Sequence, residues 1–107
     1  MSAQSTPSAD EVLTAIATSF AADPEVARTR MFGSDGLKAA GKVFAIATRG
    51  KVVLKLPKAR VDELVSAGAR RFEPGMGRVM KEWVALEPDA RTDWIALATQ
   101  ARRFVAG

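Results

Sequence analysis

The chain has 107 residues, is 48% hydrophobic and 26% charged, and carries a formal charge of +4, a balance that fits one globular domain and excludes a disordered chain. It contains no cysteine, histidine or tyrosine, so Ser-His and Cys-His nucleophile pairs are excluded and the usual zinc ligands are missing. No apolar run approaches the roughly 20 residues of a membrane span, and the N-terminus has neither a basic nor an apolar leader region, so a cytoplasmic protein is expected.

Residues 1–7 are small and polar and are read as a flexible N-terminus; residues 8–107 are read as the domain. A capping box opens the first helix, with Ser8 accepting from the Glu11 amide and Glu11 reaching back. Val12, Ile16 and Phe20 then recur every four residues, widened by Leu13 and Ala17, until Asp23-Pro24 ends the helix. From Arg28 onward the chain reads as strands broken by glycine turns, over Gly36–Ala39, Lys42–Thr48 and Lys51–Leu56. Arg49-Gly50 between the last two is a two-residue hairpin signal.

Pro57 suits the start of a second helix that buries Val61, Leu64 and Val65 and stops at Gly68. Two more strands follow, Arg70–Glu73 and Arg78–Leu86, joined by a turn at Pro74-Gly75-Met76-Gly77. Asp89 is read as the cap of a final helix with Trp94, Leu97, Ala98, Ala101, Phe104 and Val105 on one face. The order α-β(3)-α-β(2)-α predicts an α+β, two-layer sandwich: one antiparallel five-stranded sheet with the helices packed mainly on one face.

Alternation divides the sheet into two faces. Val52, Leu54 and Leu56 form one apolar set, and the larger side chains Phe44 and Ile46 are assigned to the same inward face. The opposite face is then expected to hold Val43, Ala45, Ala47, Val53 and Lys55. In the strand ending at Leu86, Met80, Val84 and Leu86 are assigned inward and Glu82 near an edge, which puts Lys81 and Trp83 beside Lys55. On one reading Trp83 only covers the sheet, with Lys81 extended along it. On the other, Lys55, Arg78, Lys81 and Trp83 form a binding patch for an anion, a nucleotide, nucleic acid or a partner. A homodimer interface on the same face is the third reading.

The chemistry-bearing motifs are sparse. Gly75-Met76-Gly77 opens like a dinucleotide fingerprint, but Met80 stands where its third glycine belongs. Gly33-Ser34-Asp35-Gly36 is read as a turn whose amides could form an anion nest. Lys55 and Lys81 are the candidates for a reactive amine, which would require desolvation. No catalytic residue, metal ligand or cofactor is assigned, and a non-enzymatic protein is expected. The sixteen lysines and arginines are dispersed, so nucleic-acid binding has little support beyond charge.

Arg30-Met31-Phe32-Gly33, Gly36-Leu37, Gly41-Lys42-Val43-Phe44-Ala45 and Leu54-Lys55-Leu56 together resemble the TfoX N-terminal domain family. Phe72-Glu73-Pro74-Gly75 and Met80-Lys81-Glu82-Trp83-Val84 extend the resemblance; YjbR-like domains carry a similar lysine and tryptophan strand. The resemblance implies the α-β(3)-α-β(2)-α fold and a regulatory role through protein contacts in a bacterial cell, and it supplies no catalytic residues. In the competence regulator that names the family, a C-terminal helical domain follows. These 107 residues hold no counterpart of it, so a stand-alone interaction module is expected, with a protein partner or a second copy as its target.

Overall fold

The computed structural model describes residues 6–31, 33–73 and 80–107. Helix α1 (Ala9–Ser19) is set by the capping box: the Glu11 amide donates to Ser8 Oγ at 3.1 Å, and the Ser8 amide donates to Glu11 Oε1 at 2.8 Å. It closes at Phe20, ahead of the Asp23-Pro24 stop expected from the sequence, and buries Ala9, Val12, Leu13 and Ile16.

Four strands then run as a meander: β1 (Val26–Met31), β2 (Ser34–Ala39), β3 (Lys42–Thr48) and β4 (Lys51–Lys55). The β2–β3 and β3–β4 connections are two-residue turns with both residues at positive φ, Ala40 (51°) with Gly41 (82°), and Arg49 (53°) with Gly50 (76°). That geometry matches the right-handed twist of the flanking strands, and glycine meets it at no steric cost.

Helix α2 (Lys58–Ser66) follows Pro57 and ends in a Schellman motif. Gly68 stands at φ 114°, its amide donates to the Val65 carbonyl at 3.0 Å, and the Ala69 amide donates to the Leu64 carbonyl at 3.0 Å. Strands β5 (Arg70–Phe72) and β6 (Met80–Leu86) and helix α3 (Trp94–Ala106) complete the chain. The α3 cap is Asp93, which accepts from the Ala96 amide at 3.0 Å. Asp89 is instead the anchor of the preceding turn, accepting from the Arg91 and Thr92 amides at 3.0 and 2.7 Å.

The sheet has six antiparallel strands in the order β1-β2-β3-β4-β6-β5, one more than the sequence reading counted. The addition is β1, whose VARTRM sequence lacks apolar alternation because it is an edge strand with a single neighbour. Its Arg28 and Arg30 bridge to Asp35 of β2 at 3.2 and 3.5 Å. Ser34, Asp35 and Gly36 are thus paired strand residues, which overturns their reading as an anion nest.

All three helices contribute to one apolar cluster on one sheet face, joining Leu13, Ile16, Val61, Leu97 and Ala101 to Leu37, Leu54 and Val84. The faces of β3 differ from the expectation. Leu37 pairs with Ala45 but Lys38 pairs with Val43, so Phe44 is an extra residue in a bulge. Phe44 is therefore buried beside Ala45 and meets Phe20 edge-on at 5.7 Å, both residues belonging to the helix-side cluster. Beyond the bulge Ala45 pairs with Leu54 and Ala47 with Val52, which puts the small side chains inward. Ile46 pairs with Val53 and faces the other way.

An ion cluster fastens α3 to the segment after α1. Arg102 Nε donates to Asp23 Oδ2 at 3.0 Å and Nη2 donates to Glu25 Oε1 at 3.0 Å, with the Arg102 and Asp23 side chains 15% and 23% exposed. The guanidinium holds the Asp23 carboxyl below its ordinary 3.8, and Asp23 raises Arg102 in turn. A depressed carboxyl contributes stability above its unfolded value and loses it as pH falls through the folded one. Thermal midpoints recorded from about pH 5 to about pH 2 should therefore fall less in Asp23→Asn than in the parent chain. Equal slopes in the two proteins would show that this carboxylate does not contribute.

Candidate functional site

The face of the sheet turned from the helices is built by register. Val53 pairs with Ile46 on one side and Ala85 on the other, Lys55 pairs with Trp83, and Lys38 with Val43. These pairings place an apolar strip of Val43, Ile46, Val53 and Ala85 along the sheet, with Trp83 at one end. Val53 is fully buried, Ile46 and Trp83 are half-buried, and Gly36, paired with Ile46, leaves the strip shallow. A side chain at Gly36 would bring its Cβ within 3.0 Å of the Ala45 carbonyl oxygen, so this shallowness is built into the backbone packing.

Cations border the strip. Lys38, Lys51 and Lys55 come from β2 and β4, and Arg70 pairs with Ala85 from β5. Lys51 is ion-paired with Glu87. Arg71, one residue on from Arg70, bridges to Asp62 of α2, and Lys58 holds the Asp62 carboxyl below its ordinary value. Arg49 donates to the Glu73 carbonyl at 3.5 Å across the margin of the face.

Of the residues assigned from sequence, Lys55 and Trp83 are brought together. Lys55 Nζ stands 5.6 Å from the indole centroid, a cation–π contact. Lys81 is exposed on β6 and does not line the cleft beside them; Arg78 and the Pro74–Gly77 turn lie outside the described residues. The open face holds Ile46 in place of the expected Ala45 and Ala47, because the bulge at Phe44 shifts the phase of alternation.

The cleft lies where β3 begins, β4 ends and β6 enters, a junction held by the Leu56 amide donating to the Glu82 carbonyl at 2.9 Å. Lys42, Lys55, Glu82, Trp83 and Phe104 line it with two valines. Phe104 was expected inward on α3 but is 37% exposed. It falls at the margin of the helix's apolar arc, next to Leu97, and that marginal position was the sequence signal for it. Lys42 carried no signal, since its place in the cleft depends on which strand ends meet.

The family model of the TfoX N-terminal domain matches residues 18–106, nearly the whole chain. The chain belongs to the TfoX N-terminal domain family. Searches of curated proteins and of solved structures return no match. No helix among the described residues is long and apolar enough to cross a membrane.

Proposed function

We propose that the chain is a non-enzymatic interaction module whose open sheet face docks a protein segment with an apolar centre and acidic flanks. The observation that carries this reading is the apolar strip of half-buried Val43, Ile46 and Ala85 around the buried Val53, on the sheet face turned from the helices and bordered by Lys38, Lys55 and Arg70. Apolar strips of this kind mark interaction surfaces when a polar rim surrounds them. The cationic rim favours an acidic partner and opposes a second copy of the same face, because like charges would meet across the interface. Family membership is consistent with a regulatory contact.

A photo-crosslinking residue at position 46, with position 96 on α3 as the comparison, tests the docking face in the source cell. The captured protein should then be purified and titrated. Ile46→Glu is expected to weaken its binding at least about tenfold, as for a central contact. Capture only at position 96, crosslinks only between copies, or unchanged affinity of Ile46→Glu would each overturn the reading.

A further inference from the structure

The cleft at the end of the sheet combines features that the docking strip lacks. Its volume, about 310 Å³, lies at the small end of the range typical of small-molecule sites. Two aromatic side chains reach it from different layers, Trp83 from the sheet and Phe104 from α3. Trp83 is half-buried, and Phe104 is one of two large apolar side chains exposed among the described residues. Two cations share the cleft with them: Lys42 on β3, and Lys55, held against the indole at 5.6 Å. One carboxylate, Glu82, completes the polar lining.

We infer that this cleft binds a nucleoside monophosphate. Each part of the lining matches one part of that ligand. A flat base stacks on the exposed Phe104, because Lys55 already stands over the Trp83 ring, and stacking of this kind tolerates any base because every base has a π-face. The phosphate is met by the ammonium groups of Lys42 and Lys55, as point charges. Glu82 can only accept hydrogen bonds when ionised, so it suits ribose hydroxyls or an exocyclic amine and disfavours a bare anion. A ligand without a ring would leave Phe104 unused, and one without an anion would leave the ammonium groups of Lys42 and Lys55 sharing the cleft with no anionic ligand. The cleft adjoins the docking strip and shares Val43, Lys55 and Trp83 with it, but Lys42, Glu82 and Phe104 belong to the cleft and Ile46, Val53 and Ala85 to the strip, so Phe104→Ala and Ile46→Glu test the two readings apart.

Adenosine monophosphate titrated into the full chain at low salt, followed by tryptophan emission and amide NMR shifts, tests the inference. Saturable binding with Kd below about 1 mM is expected, with the largest shifts at Lys42, Trp83 and Phe104. Adenosine and inorganic phosphate should each bind about tenfold more weakly, since each lacks one half of the recognition. Phe104→Ala and Lys42→Ala should each reduce affinity about tenfold, and both side chains are exposed enough for the variants to fold. The inference is overturned by an absence of shifts up to about 10 mM nucleotide. It also fails if phosphate alone binds as well as the nucleotide, or if Phe104→Ala binds like the parent.

Discussion

Replacing Phe44 with alanine is expected to destabilise the fold by about 3–5 kcal/mol, the cost of emptying a large buried site. Ile46→Ala, two positions along the same strand, should cost about 1 kcal/mol because that side chain is only partly removed from water. Phe44 has no exposed surface and packs edge-on with Phe20 at 78° between ring planes, a pair that adds about 1 kcal/mol beyond area burial. A domain with a total stability of about 5–15 kcal/mol would be left marginal by its loss. Denaturant midpoints at constant m-value measure the difference, and Phe44→Leu provides a folded comparison if the alanine variant does not fold. Equal losses at positions 44 and 46 would mean that the strand alternates without a bulge.

Trp94 is the second position where a large effect is expected. Its side chain is 9% exposed in the main cluster, and its Nε1–H donates to the Asp89 carbonyl at 2.9 Å. Trp94→Ala removes both the packing and the donor and should cost about 3–5 kcal/mol. Trp94→Phe keeps most of the packing but leaves that carbonyl without its indole partner, at about 1–2 kcal/mol. The turn it anchors is ordered by Asp89, whose carboxyl is held below its ordinary 3.8 by the Thr92 amide and hydroxyl. Chemical denaturation of the two variants separates the contributions; similar losses would show that the hydrogen bond, and not the packing, carries the residue's weight.

Features written in local chemistry were legible in the sequence. Ser8 with Glu11, Arg49-Gly50 and Gly68 each act within a few residues, and each does in the structure what its chemistry implies. The α3 cap was displaced by four residues because Asp89 and Asp93 are both good caps at the same periodic phase. Strand β1 was missed because arginines on an edge strand hide the two-residue period. The face assignment at Ile46 failed for a different reason. Alternation assumes a constant phase, and a single extra residue opposite Leu37 and Lys38 resets it. Of the candidate site, Lys55 and Trp83 were found together through alternation, whereas Lys42 and Phe104 depended on where strand ends and a helix end converge.

The extra residue in β3 also ties the interior to the rim of the molecule. A bulge bends its strand and tightens the local twist. Lys42 and Val43 sit on the turn side of Phe44, and both line the cleft closed by the end of α3. Deleting Phe44 would restore regular pairing and let this stretch straighten, changing how both side chains meet the cleft. The residue that fills the core thus also sets the bend from which Lys42 and Val43 reach the cleft.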